Sequence, residues 1–137
     1  MFANIFDRTT IPVLQEVVYF SQARHEVLAG NIANIDTPGY KTADLSPEIF
    51  QQKLREAIAQ RQAGRTNASS AEPIAEQPPL RHVRESMRSI LRHDESDVGL
   101  EQQVLALTEN QLTHNIAIAL MNSQFRLLET AISERIT

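Results

Sequence analysis

The side chains able to bind a metal or move a proton are present in this chain, but they are not grouped for either task. The histidines are His25, His82, His93 and His114, and no two are four residues apart, the spacing that puts two ligands on one helix face. Cysteine is absent, which removes disulfides, thiolate zinc sites and iron–sulfur clusters together. The acidic run Asp94 to Asp97 resembles the start of a calcium loop. Counting from Asp94, however, the fifth position is Val98 and the twelfth Leu105, where an EF-hand needs an oxygen ligand and a bidentate glutamate. These acids fit better as negative charge ahead of a helix N-terminus. No Ser-His-Asp order and no glycine-rich phosphate loop occurs. The sequence predicts no catalytic residue, no cofactor and no metal, and it gives a small hydrolase no pocket chemistry to build on.

What the residues do offer is conformational chemistry, concentrated in Asn31-Ile32-Ala33-Asn34-Ile35-Asp36-Thr37-Pro38-Gly39-Tyr40-Lys41. Asn34 tolerates the left-handed conformation that ends helices, and Pro38 forces Thr37 out of the helical region. A helix running into this stretch should stop by about Ile35. Pro38-Gly39 then fits the central positions of a type II turn, proline pre-setting the first φ and glycine supplying the positive second one.

Two long helices must position this turn. Pro12 suits a first helical turn, with Thr9 or Thr10 as N-cap. From there Ile11, Leu14, Val18, Ser21, His25, Leu28, Ile32 and Ile35 recur at alternating spacings of three and four, a heptad seam with two polar members at its centre. Val13, Val17, Phe20 and Val27 widen the apolar face, so more than one surface must cover it. A second seam is Leu100, Val104, Leu107, Gln111, His114, Ile118, Met121, Phe125, Leu128 and Ile132, again polar at mid-length. Beside it runs a stripe of Leu105, Leu112, Ile116, Leu120, Leu127 and Ala131. If the two helices pair antiparallel, Ser21 and His25 meet Gln111 and His114, and such polar seam positions fix register at some cost in stability. At 1.5 Å per residue the helices are about 36 Å and about 52 Å long, so the second overhangs the first.

The middle is irregular in composition. Ser46 is a plausible N-cap for a short helix from Pro47 to about Gln62, and Gly64 to Pro79 has linker composition. Arg81, Arg84, Arg88 and Arg92 would share one helical face, either a solvated basic face or a contact for an acidic partner surface. The fold expected is all-α: residues 1–10 disordered, a coiled-coil helix at 11–35, a turn, short helix and flexible middle at 36–99, and a coiled-coil helix at 100–135, the two long helices pairing antiparallel.

With 137 residues the chain is one domain or one elongated subunit, and 5% aromatic residues without tryptophan are few for a self-sufficient globular core. Net charge is −4, divided as −2 over residues 1–40, +3 over 41–92 and −5 over 93–137. Acidic helices around a mildly basic insert lack the concentrated basic face of a nucleic-acid binder. The N-terminus has no basic region followed by an apolar run, and no 18-residue apolar stretch occurs, so neither a cleaved signal peptide nor membrane insertion is expected.

The stretch Ala23 to Lys41 resembles the N-terminal motif of bacterial flagellar rod and hook proteins, in which Asn-x-Ala-Asn is followed by Thr-Pro-Gly-Tyr. Asn31, Ala33, Asn34, Thr37, Pro38, Gly39 and Tyr40 match it. The short length, Asp44, Phe50, and the later Glu101, Leu107-Thr108-Glu109-Asn110, Asn115, Gln124-Phe125 and Ala131-Ile132 are similar to the proximal-rod branch of that family. One departure is Glu95-Ser96-Asp97-Val98-Gly99, where the family usually has Gly-Asn-x-Val-Asp. The resemblance implies a structural, non-enzymatic subunit of the flagellar basal-body rod in the periplasm, exported by the flagellar type III apparatus without a cleaved signal. Implied partners are copies of itself, other rod proteins, and the basal-body membrane ring with its adaptor protein. Leu14, Val18, Leu28, Ile32, Leu100, Val104, Leu107, Ile118, Met121, Phe125, Leu128 and Ile132 are then the expected assembly seam. The alternative is a cytoplasmic helical adaptor or chaperone forming a closed oligomer.

Overall fold

The computed structural model describes residues 9–66, 80, 83, 91–93 and 99–133. The expectations for residues 1–8, for the linker beyond 66, for Arg81, Arg84 and Arg88 and for the acidic run at 94–97 lie outside those residues. In chain order the elements are α1 (Ile11–Ala33), β1 (Ala43–Leu45), α2 (Pro47–Thr66), β2 (Leu91–His93) and α3 (Leu100–Ser133). Helix dominates, and α1 and α3 pack antiparallel: Asn31 near the end of α1 meets Gln103 near the start of α3, and Ser21 meets Asn110 and His114. Helix α3 is 34 residues long against 23 for α1, about 51 Å against about 35 Å, so its C-terminal end runs past Ile11.

The local chemistry of each terminus is visible. Pro12 lies in the first turn of α1, where its missing N–H costs nothing; the Thr9 hydroxyl accepts from the Ile11 N–H at 3.3 Å, while Thr10 is the N-cap by position without a side-chain bond. Ser46 caps α2, its Oγ accepting from the Ile49 N–H at 3.4 Å and donating to Glu48 at 2.7 Å. The helix reaches Thr66, beyond the expected end near Gln62 and past Gly64, because one glycine inside a helix costs only about 1 kcal/mol.

Two features depart from an all-helical plan. β1 and β2 form a short antiparallel ladder, Ala43 opposite His93, Asp44 opposite Arg92 and Leu45 opposite Leu91. Arg92 is therefore a strand residue and does not continue a helical arginine face. Three-residue strands leave no readable period, which is why the sequence pattern passes over them. The second is that the middle of the chain supplies a core. Phe20, Leu45, Phe50, Leu54, Ala57, Leu80 and Val83 are buried together, with Val13, Val17, Ala23 and Val27 packed against them. The broad apolar face of α1 is thus covered twice, by α3 on one side and by α2 with β1 on the other. At the centre the Phe20 and Phe50 rings stack, centroids 4.0 Å apart and nearly parallel.

Phe50→Ala removes one half of that stack and leaves a cavity between α1 and α2. The expected cost is about 3 kcal/mol in chemical denaturation, and a loss below about 1 kcal/mol would show that α2 is not anchored through this ring.

Candidate functional site: a buried amide junction and a polar helix seam

Asn31 sits in the last turn of α1 and is 1% exposed. A buried primary amide has two donors and a two-lone-pair acceptor to satisfy, and here every one is used. Nδ2 donates to the Ala43 carbonyl at 2.7 Å and to Gln103 Oε1 at 3.1 Å. Oδ1 accepts from the Ala43 N–H at 3.1 Å and from the Tyr40 hydroxyl at 3.3 Å. The side chain thereby pairs with Ala43 as a neighbouring strand would, and it holds α1, the turn, β1 and α3 at one point.

The turn that makes this possible is a type II turn over Thr37-Pro38-Gly39-Tyr40, closed by the Tyr40 N–H on the Thr37 carbonyl at 3.1 Å. Gly39 has φ +77°, the conformation glycine is needed for, and open space where a Cβ would sit. Asn34 ends the helix differently from the left-handed cap considered from sequence. Its φ is −111°, its N–H bonds back to Gly30 O at 3.1 Å, and its side-chain Nδ2 donates to the same carbonyl at 2.8 Å. The left-handed residue is displaced to Gly39, where it carries no steric penalty, and α1 ends at Ala33. Two turns before Asn31, Arg24 holds Asp44 in a fork, Nε to Oδ1 at 2.9 Å and a terminal nitrogen to Oδ2 at 2.8 Å. Asp44 remains 41% exposed, so this pair orients β1 more than it stabilises it.

The face that α3 turns toward α1 is not the apolar seam read from its sequence. Its buried residues are Gln103, Asn110 and Ala117, seven apart. Asn110 Nδ2 donates to the Ser21 carbonyl at 2.7 Å. The Ser21 hydroxyl lies 2.9 Å from Val18 O and 2.8 Å from His114 Nδ1; with its one proton on the carbonyl, the imidazole Nδ1–H donates to the hydroxyl. Ser21 and His114 therefore meet at the centre of the helix pair, while His25 and Gln111 line the rim of a shallow cleft of about 440 Å³ beside them. Of the apolar seam positions on α3, Leu107, Met121 and Leu128 are half-buried, whereas Leu100, Val104, Ile118, Phe125 and Ile132 are exposed. On α1, Leu28 is buried and Leu14, Val18 and Ile32 half-buried. Gln103 and Ala117 stand outside both apolar periods of the sequence, and Asn110 enters there only as a match to the rod family; their strict spacing of seven was the available signal.

Among the described residues, no three metal-ligating side chains stand close enough to hold an ion, and no helix is long and apolar enough to cross a membrane. The site is thus a set of conformational locks.

Two substitutions test the locks. Asn31→Ala leaves Ala43 and Gln103 without their partner and should cost about 3 kcal/mol in urea denaturation. Asn31→Asp keeps the acceptor but places an oxygen against the Ala43 carbonyl, and should be no less damaging at neutral pH; wild-type stability for Asn31→Asp would contradict the donor role. Gly39→Ala meets no steric contact, so its cost is backbone strain alone, about 1 kcal/mol, read as a small fall in Tm with helicity unchanged.

Comparison with known proteins places these features in a family. The family profile described as flagella basal body rod protein matches residues 21–41, the stretch from Ser21 through the turn. The flagellar basal body rod protein FlgB of Bacillus subtilis is 24% identical over 124 residues, covering 90% of this chain and 93% of that one. FlgB of Escherichia coli is 26% identical over 116 residues, 82% of this chain and 84% of its own. FlgB of Aeromonas hydrophila is 33% identical over 111 residues, 80% of this chain and 81% of its own. With 33% identity over 80% of its length, the chain belongs to the FlgB family of flagellar basal body rod proteins.

Proposed function

We propose that the protein is a structural subunit of the flagellar basal-body rod that polymerises through its terminal helices, with copies of itself and with other rod proteins, and links the membrane ring to the distal rod and hook. The observation that carries this reading is the outer face of α3. Leu105, Leu112, Ile116, Leu120 and Leu127 are all at least half exposed, on a helix whose fully buried residues, Gln103, Asn110 and Ala117, are polar or small. A monomer rarely leaves so long an apolar stripe in water, and a subunit that completes its burial between copies does so by construction. Where α3 runs past α1, Phe125 and Ile132 are exposed as well. The residues expected to form the assembly seam, Leu14, Val18, Leu28, Ile32, Leu100, Val104, Leu107, Ile118, Met121, Phe125, Leu128 and Ile132, divide in this reading. Leu14, Val18, Leu28, Ile32, Leu107, Met121 and Leu128 hold the subunit together, and Leu100, Val104, Ile118, Phe125 and Ile132 meet neighbours.

The proposed setting is export by the flagellar type III apparatus, assembly in the periplasm, and contact with the ring and its adaptor protein; the supporting finding is membership of a basal-body rod family. The role needs no catalytic group.

The test is Leu112→Asp and Leu120→Asp, separately and together. Both side chains are more exposed than not, so circular dichroism and Tm of the purified chain should stay close to wild type. Swimming should be lost, and the wild type should co-purify with intact basal bodies while the variant should not. Normal motility with the double variant, or a wild-type chain that forms only a closed dimer in light scattering and never accompanies basal bodies, would overturn the proposal in favour of a helical adaptor.

A further inference from the structure

Helix α3 carries two seams that share one column of residues. Leu107, His114, Met121 and Leu128 belong to both. Adding the column on one side, Gln103, Asn110, Ala117 and Gln124, gives the face that α1 covers: Gln103 is 6% exposed, Asn110 and Ala117 3% each. Adding the column on the other side, Val104, Gln111, Ile118 and Phe125, gives the more apolar seam, and it is left outside, with Val104 47%, Ile118 36% and Phe125 44% exposed. The columns stand one residue apart on a 3.6-residue helix, so a roll of α3 by about 50° about its own axis would exchange them. On burial alone the rolled state is favoured, because along the length that α1 covers it hides Val104 and Ile118 in place of Gln103, Asn110 and Ala117.

We infer that Asn110, with Gln103 in support, is the residue that sets the rotational phase of α3, holding its apolar column outward against the hydrophobic preference of the helix pair. The bonds that do this are specific to the observed phase. Asn110 reaches the backbone carbonyl of Ser21, Gln103 reaches Asn31 inside the amide junction, and Ser21 reaches His114. Rolling the helix breaks the first two while moving His114 only within the shared column. Asn110 and Asn31 face each other's helices two turns apart, so together they fix both angle and register, as single buried amides do in coiled coils. The consequence for assembly rests on the function proposed above; the phase itself does not, and the two are tested separately.

The chain lacks cysteine, so a single introduced thiol reports the environment of one position without background. In the otherwise wild-type chain, Ala117→Cys should react with a maleimide at least tenfold more slowly than Ile118→Cys. Asn110→Asp is close to isosteric and turns the donor on the Ser21 carbonyl into an oxygen; combined with each probe, it should reduce or invert that ratio while helicity by circular dichroism is retained. Adding Val104→Gln and Ile118→Gln to Asn110→Asp removes the competing column and should restore protection of the thiol at 117. An unchanged ratio in Asn110→Asp overturns the proposal. So does loss of helicity with both thiols reacting at the denatured rate, since Asn110 would then be needed for folding and not for phase. Motility plays no part in this readout, so failure of the rod assignment and failure of the phase assignment remain distinguishable.

Discussion

A single buried amide, that of Asn31, is the constraint on which the arrangement of the chain depends. A primary amide out of water costs several kcal/mol unless all its hydrogen-bonding groups find partners. Its four hydrogen bonds go to three residues: the Ala43 backbone twice, Tyr40 at the end of the turn, and Gln103 on the other long helix. Those partners converge only if the chain reverses between Ala33 and Ala43 along one path. The proline and glycine of the turn provide that path, and Arg24 on Asp44 keeps the returning strand beside α1. The amide then rewards a geometry that turn chemistry alone would leave as one option among several.

The chain also separates two tasks that most small helical proteins combine. Cohesion within the subunit comes from the Phe20, Phe50, Leu54 and Val83 core between α1 and the middle of the chain. The contact between the long helices carries amides, a serine and a histidine at its centre. Apolar area is thereby kept for the outer face of α3. A conventional leucine seam between α1 and α3 would give a tighter monomer and a poorer building block, because the same residues cannot be buried at both surfaces.

Much of this was legible in the sequence, for identifiable reasons. Long apolar periods announce long helices, and Thr-Pro-Gly-Tyr announces a type II turn because proline and glycine leave few alternatives. The antiparallel pair and the meeting of Ser21 with His114 follow from the placement of polar residues at mid-seam. What could not be read was which of two adjacent columns faces inward. Hydrophobicity pointed to Val104, Ile118 and Phe125, and hydrogen bonds from Gln103 and Asn110 to the backbone and side chains of α1 decided otherwise. Asp44 and Phe50 were noticed as matches to a family pattern; only the fold gives each a partner, Arg24 for one and Phe20 for the other. The short ladder between β1 and β2 joins residues almost fifty positions apart, a distance at which local pattern carries no information.

The strand-like pairing of Asn31 with Ala43 has a further consequence. A short sheet has two open edges, and an open edge is a template on which another chain can add a strand, the first step toward cross-β aggregation. β2 occupies one side of β1, and the Asn31 side chain caps the other at Ala43 by consuming both of its backbone groups. A protein proposed to polymerise through helices at high local concentration gains from this closure, since growth is confined to the intended surfaces and the edge of β1 at Ala43 offers no competing route to a disordered fibre.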